Sequence, residues 1–183
     1  MSSDARPFVA VLMGSDSDLP VVQGALDVLA ALEVPCEVRV LSAHRTPDAT
    51  RDYVREADAR GCAVFIAAAG MAAHLAGAVA AHTVKPVIGI PVDAGPLEGL
   101  DALLSTVQMP PGVPVATTAI GKAGARNAGH LAAQILALAD TELAARVARE
   151  RRRSAEAVTA KDQALAERLA RGPSDPTQPG GAR

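Results

Sequence analysis

The sequence predicts an α/β fold, a three-layer sandwich with a central five-stranded parallel sheet and a C-terminal helical extension. Apolar runs of strand length alternate with segments of helical periodicity through residues 8–139. Such alternation is typical of parallel strands joined by helices that cover both faces of the sheet. The chain has 183 residues, which is long enough for one domain with a substantial core.

The predicted strands are short apolar runs. Phe8–Met13 is continuously apolar and ends at Gly14, which favours a strand buried on both faces. Residues 36–41 alternate in polarity like a second strand. The remaining three strands are predicted over residues 63–68, 87–92 and 113–117.

The intervening segments carry helix signals. Val22, Leu26 and Leu29 recur at helical spacing up to a polar break at residues 33–35. Thr46 offers an N-cap and Pro47 suits the first position of a helix that runs to about residue 59. Further helices are predicted over residues 72–82, 100–108, 123–139 and 141–170. Right-handed crossovers then give a sandwich of the flavodoxin or Rossmann kind, whose ligands bind at the carboxyl ends of the strands.

The chain divides by composition into three parts. We expect an α/β catalytic domain over residues 1–140 and a Pro- and Gly-rich disordered tail over residues 172–183. Between them, residues 141–171 form a charged helix with too few apolar residues to fold alone. This helix is expected to make oligomer contacts.

The interior must be filled by small side chains. Apolar residues make up 49% of the chain, with 40 alanines but only Phe8, Tyr53 and Phe65 as aromatics. Because a buried alanine contributes little hydrophobic free energy, we expect subunit contacts to supply part of the stability. The scarcity of aromatic rings argues against RNA modules that stack bases and against a flavin site lined by aromatics.

Charge and cysteine content predict a cytoplasmic protein. The net charge is -2, which gives no reason to invoke nucleic acid or a membrane surface. The basic excess lies in residues 141–183, where a solvated helix face is the simplest interpretation. The polar N-terminus is unlike a secretory leader, and Cys36 and Cys62 lack C-x-x-C spacing, which favours buried thiols in a reducing compartment.

Three loops hold the candidate chemistry. Residues 14–18 (GSDSD) follow the first strand and combine a glycine, hydroxyls and carboxylates that suit a phosphate or a ribose, although helix capping explains the same residues. In residues 42–47 (SAHRTP), Arg45 offers donors to a phosphate and His44 can exchange protons near neutrality; the alternative is a surface histidine. Residues 67–77 (AAAGMAAHLAG) suit a flat heterocycle or, alternatively, close helix packing. His82 and His130 have no acidic or cysteine neighbours at ligand spacing, and we predict no metal site.

Six motifs together resemble a known family. GSDSD, SAHRTP, GMAAHLAG, PVIGIPV, LEGLDALLSTVQMPPGVPVAT and AIGKAGARNA occur in this order over residues 7–142. They resemble the class I 5-(carboxyamino)imidazole ribonucleotide mutases of purine (IMP) biosynthesis. The resemblance implies an isomerase that moves a carboxylate from the exocyclic nitrogen to ring position 4, through decarboxylation and recarboxylation. It also implies a flavodoxin-like fold, no metal or organic cofactor, and a homo-octamer with sites at subunit junctions.

The resemblance assigns roles to individual residues. His44 falls on the essential histidine, the acid that protonates the departing group and later accepts the ring proton. Arg45 would pair with the 5′-phosphate, Asp18 would lie near the ribose and ring, and Gly70 to Leu75 would surround the mobile carboxylate, with His74 a secondary candidate. The substrate-binding residues proposed on both grounds are Gly14, Ser15, Ser17, Asp18, Ser42, Arg45, Gly70, Ala72, His74 and Leu75.

The chain departs from the family pattern at two positions. Met71 stands where the family usually has a second glycine, and Ala76 stands where it has a proline. If that glycine needs a positive φ, Met71 is strained; if not, its side chain narrows the pocket. Two other functions stay open: a class II-like lyase that carboxylates the aminoimidazole ribonucleotide directly, and a non-catalytic nucleotide-binding scaffold. Arg45 and His74 favour class I, and a flavodoxin-type electron carrier is disfavoured by the lack of ring-stacking aromatics.

Overall fold

A computed structural model describes residues 6–171 of the chain. Strands and helices alternate as the sequence predicts. The strands are β1 (Phe8–Met13), β2 (Cys36–Val40), β3 (Cys62–Gly70), β4 (Val87–Val92) and β5 (Ala116–Thr117). The helices are α1 (Leu19–Ala31), α2 (Pro47–Ala59), α3 (Leu75–Ala80), α4 (Leu100–Val107), α5 (Gly121–Ala137) and α6 (Thr141–Ala170), and a 3₁₀ turn (Asp16–Asp18) precedes α1.

The strands form one parallel sheet in the order β2-β1-β3-β4-β5. This order and the covering helices confirm the predicted flavodoxin-like sandwich. Val9 of β1 aligns with Cys36 on one side and Val64 on the other, so β1 lies where the strand order reverses. The carboxyl ends of β2, β1 and β3 are therefore neighbours, and a ligand site is expected in the crevice beside them.

Small residues pack the contact between α1 and α5 on one side of the sheet. The cluster beneath α1 and α5 contains Ala25, Ala125, Ala128, Ala132 and Ala133, all fully buried. A Cβ added at Gly129 of α5 would lie 2.8 Å from the carbonyl oxygen of Ala25 in α1, closer than real Cβ atoms come. The two helices are thus packed backbone to backbone, and the expected small-residue interior is confirmed here.

All three aromatic residues lie on the other side of the sheet. Phe8, Tyr53 and Phe65 are buried in the cluster beneath α2 and α3. On this side Gly89 of β4 makes room for α4, because an added Cβ would lie 2.3 Å from Thr106 Cγ2. Large side chains supply hydrophobic burial on both sides of the sheet, because the α1 and α5 side also buries Leu29, Ile66 and Ile90.

Some predicted element bounds were wrong. Helix α3 begins at Leu75 rather than residue 72, because residues 71–74 form tight turns in which the Ala73 and His74 amides donate to Met71 and Ala72 oxygens at 2.9 Å. Strand β5 pairs only at residues 116–117 and not from residue 113; Pro114 lacks the N–H that a ladder would need. Helix α5 begins at Gly121, two residues earlier than predicted.

The described part of the chain divides into two compact units between Val147 and Ala148. The first unit holds the sheet and the first turns of α6, where Leu143 is buried and Arg146 Nε donates to the Leu32 carbonyl at 2.9 Å. In the second unit, residues 151–171 are exposed. The tail predicted over residues 172–183 lies outside the described residues. Within residues 6–171, no helix combines the length and the apolar character needed to cross a membrane.

Candidate functional site

A cavity of about 470 Å³ opens at the carboxyl ends of β1, β2 and β3. It is lined by the loops that follow these three strands. Every site residue proposed from the sequence lies on its wall: Gly14, Ser15, Ser17, Asp18, Ser42, His44, Arg45, Gly70, Ala72, His74 and Leu75. The fold therefore brings together residues that are up to 61 positions apart in the chain.

The first loop is a capping box that closes on itself. The Ser15 hydroxyl accepts from the Ser17 amide at 3.3 Å, and the Asp18 carboxylate accepts from the Ser15 amide at 3.2 Å. The Ser17 hydroxyl also lies 2.9 Å from that of Ser15. The capping residues therefore also form part of the cavity wall, where both hydroxyls are accessible.

Asp18 is the buried acid of the cavity, with 9% of its surface exposed. Burial raises the pKa of its carboxyl above the ordinary value of 3.8. The bond from the Ser15 amide lowers this pKa, the neighbouring Asp16 raises it, and Arg45 lowers it. The carboxylate therefore sits in a low-dielectric wall, where a hydrogen bond from a ligand hydroxyl is stronger than in water.

Arg45 ties the second loop to the first. Its Nη2 donates to the Gly14 carbonyl oxygen at 2.9 Å, while its backbone amide donates to the Ser42 hydroxyl at 3.1 Å. Thr46 is the residue before α2, as predicted, but its hydroxyl does not cap the helix. The hydroxyl instead accepts from the Ser42 amide at 3.0 Å and so fixes the turn that presents His44 and Arg45.

His44 and His74 meet inside the cavity. The His44 Nε2 and His74 Nδ1 atoms are 2.6 Å apart, and the two rings stand edge to face at 4.9 Å between centroids. One of these nitrogens donates and the other accepts, so the tautomers of the two rings are coupled. His74 precedes α3 and is held by the tight turn of residues 71–74. The second ring thereby orients the first toward the cavity.

The third loop carries strain at Met71. Its φ is +54°, in the left-handed region that favours glycine. Both features raised by the sequence are present, because φ is positive and the Met71 side chain also lines the cavity. The preceding Gly70 is needed for a different reason, since an added Cβ would lie 2.8 Å from the Cβ of Ala94. The loops after β3 and β4 are therefore in close contact at the cavity.

Sequence reasoning missed Ala94, which lines the cavity beside Ala43, Ala69 and Met71. Ala94 has no polar group to signal a role, but its place just after β4 puts it at the same edge of the sheet. His82 and His130 lie off the cavity wall. Over residues 6–171, no cluster of three or more His, Cys, Asp or Glu side chains forms a metal-binding group.

The fold and the cavity define an α/β protein with a polar pocket at its strand ends and two histidines in contact on the pocket wall. A guanidinium, three serine hydroxyls, a buried carboxylate and two imidazoles face one pocket of small residues. The chain belongs to the AIR carboxylase family, whose model matches residues 8–157.

Curated relatives cover most of the chain. The N5-carboxyaminoimidazole ribonucleotide mutase of Mycobacterium tuberculosis is 57% identical over 90% of this chain and 93% of its own length. The proteins of the same name from Bacillus subtilis and Escherichia coli are each 54% identical, over 84% and 78% of this chain and 94% and 85% of their own lengths. The crystal structure of Treponema denticola PurE superposes with a TM-score of 0.80 at 28% identity and covers 87% of this chain and 99% of that one.

Proposed function

We propose that this protein is an isomerase of purine biosynthesis. It converts N5-carboxyaminoimidazole ribonucleotide to 4-carboxy-5-aminoimidazole ribonucleotide. Relatives that are 54% to 57% identical to this chain carry the name of this mutase. The observation that carries the proposal is the His44–His74 contact of 2.6 Å in a cavity that also presents Arg45. A proton donor and a phosphate anchor in one pocket are what this carboxylate migration requires.

His44 performs both proton transfers. In the first step the bond between the exocyclic nitrogen and the carboxylate carbon breaks, and its electron pair stays on nitrogen. His44 protonates that nitrogen, which leaves aminoimidazole ribonucleotide and carbon dioxide. In the second step ring carbon 4 attacks carbon dioxide with a pair from the ring, and His44 takes the proton that carbon 4 loses. The proton given in the first step is thus recovered in the second, and no net acid or base is consumed.

The other residues bind and orient the ribonucleotide. Arg45 donates to the 5′-phosphate through the guanidinium nitrogens that its bond to Gly14 leaves over, because a fork of donors matches phosphate oxygens. Asp18 accepts from the ribose hydroxyls, and the hydroxyls of Ser15, Ser17 and Ser42 supply further bonds. Gly70, Ala72 and Leu75 form the small wall against which ring and carboxylate lie. The electron-rich aminoimidazole is itself the nucleophile, so we assign no cofactor to the reaction.

We propose that the enzyme is a cytoplasmic homo-octamer and that α6 takes part in its contacts. Support comes from apolar side chains that the single chain leaves exposed in and before α4 and on the edge strand β2, namely Leu97, Leu100, Leu104, Val107, Val38 and Val40. Large apolar side chains left exposed on a helix and on an edge strand are typical of surfaces that another subunit covers. Light scattering of the full chain is expected to give the octamer mass, and a variant truncated after residue 147 a smaller assembly.

The activity is tested by following a carbon-13 label. The purified chain is mixed with N5-carboxyaminoimidazole ribonucleotide that is labelled in its carboxylate, in buffer depleted of bicarbonate. We expect the label to move from nitrogen to ring carbon. Product that forms only from aminoimidazole ribonucleotide and added bicarbonate would identify a direct carboxylase instead. Absence of interconversion, with nucleotide binding intact, would identify a scaffold.

A further inference from the structure

Among the described residues that line the cavity, Met71 is the one non-glycine residue with a positive φ. A left-handed φ of +54° is unfavourable for a side chain with a Cβ, and such conformations persist where the surroundings enforce them. The surroundings here are the loop after β4. A Cβ built on Gly95 would lie 3.3 Å from Met71 Cγ, 3.8 Å from Sδ and 3.9 Å from Cε. The Met71 side chain therefore lies against Gly95 from Cγ to Cε.

This packing fixes where Met71 points. One flank rests on Gly95, while 56% of the residue surface is exposed and contributes to the cavity wall. Met71 follows Gly70 at the end of β3 and precedes the turn that holds His74. A flexible apolar side chain thus stands at the mouth of the cavity, on the loop that carries the second histidine of the pair.

We propose that Met71 is a specificity-determining residue that keeps released carbon dioxide in the site; this rests on the proposed function. Between the two steps carbon dioxide is neutral and unattached, and only apolar walls and the ring above it retain it. Escape leaves aminoimidazole ribonucleotide in the site, and hydration of the lost carbon dioxide consumes one water and yields bicarbonate and a proton. An apolar side chain at the mouth disfavours both escape and the entry of water.

The test measures exchange with the medium. Unlabelled N5-carboxyaminoimidazole ribonucleotide is converted in carbon-13 bicarbonate with carbonic anhydrase present, and the label per molecule of product is counted. We expect little label with the wild type and about tenfold more with Met71→Gly and Met71→Ala, since a few methylenes in an apolar pocket are worth at least that factor. Met71→Leu keeps an apolar side chain and is expected to stay near the wild type.

Glu33 provides a matched control for backbone strain. Its φ is +56°, nearly that of Met71, and it lies between α1 and β2, outside this cavity. Glu33→Gly relieves the same strain and is expected to leave labelling unchanged. Equal labelling in the wild type and Met71→Gly, or increased labelling in Glu33→Gly, overturns the role of Met71. Failure of the wild type to form any product would instead overturn the proposed function.

Discussion

Replacing His44 with asparagine separates chemistry from binding. Asparagine is polar and of similar width, but its amide cannot release or accept a proton near neutrality and is too short to place a nitrogen where Nε2 meets His74. A positioned acid–base group contributes about 10²- to 10⁴-fold to a rate. A loss of about 10³-fold in kcat raises the activation barrier by about 4 kcal/mol.

Stability and affinity are expected to change little in this variant. His44 is exposed, and its bond to His74 contributes about 1 kcal/mol, which corresponds to about 2 to 4 °C in Tm for a chain of this length. The substitution leaves Arg45, the proposed phosphate anchor, in place, so the Kd for aminoimidazole ribonucleotide is expected to stay within about twofold of the wild-type value.

The assay pairs carbon-13 detection of carboxylate migration with calorimetric titration of the ribonucleotide. His130→Asn is the matched control, because His130 belongs to α5 and lies off the cavity wall. It is expected to keep wild-type kcat. If His44→Asn retained more than about one tenth of wild-type turnover, the proton-transfer role would be refuted. Such a loss of less than about tenfold is smaller than the loss expected when an acid–base group is removed.

Three further predictions follow from the same structure. Arg45→Ala is expected to weaken ribonucleotide binding about 10- to 100-fold by calorimetry, because a charge-assisted contact to phosphate is lost. The control Arg39→Ala, at an exposed arginine, is expected to leave the Kd unchanged. An unchanged Kd in Arg45→Ala would show that Arg45 does not bind the phosphate. Burial raises the pKa of Asp18, so the folded state binds more protons than the unfolded state between pH 3.8 and that raised pKa, and the free energy of unfolding is expected to fall with rising pH there. Urea titrations of Asp18→Asn should lack this slope, and identical slopes in both proteins would contradict it. Gly124→Ala is expected to lower the free energy of unfolding by about 3 kcal/mol or more in thermal melts, because the new Cβ would lie 1.5 Å from the Ala119 oxygen. Gly77→Ala is the helical control, since a Cβ there would lie 3.4 Å from Met109 Sδ, and this variant should melt at or above the wild-type temperature.

Most of the sheet could be predicted because its strands are marked by short apolar runs in the sequence. Residues 8–13 and 87–92 are apolar without interruption, and the structure places β1 and β4 on those residues with every position buried. The length of β5 was overestimated, because residues 113–117 are mostly apolar. Strand pairing also needs a partner residue, and in β4 only Ile88 and Gly89 pair with β5. The start of α3 was likewise misplaced, since alanines at 72 and 73 favour helix locally and the turn at Met71 overrides them.

The contacts within the site were less predictable than its members. Strand order alone implies that the loops after β1, β2 and β3 meet, so GSDSD, SAHRTP and GMAAHLAG could be grouped from the sequence. The bond between His44 and His74 spans thirty positions and depends on ring orientations that no spacing encodes. The same holds for Ala94, whose only signal is its place after β4.

At the contact between α1 and α5, we expect larger side chains to be more damaging than smaller ones, the reverse of the usual pattern in a core. At most core positions a protein suffers from the loss of atoms, and larger side chains are retained because they fill space. Where Gly129 faces the backbone of Ala25, no atom can be added, so every single substitution at Gly129 is an enlargement. A saturation scan should therefore find α5 intolerant at its smallest residues and the aromatic side of the sheet intolerant at its largest. Gly129 is therefore required for the space it leaves to the neighbouring backbone and not for any contact of its own side chain.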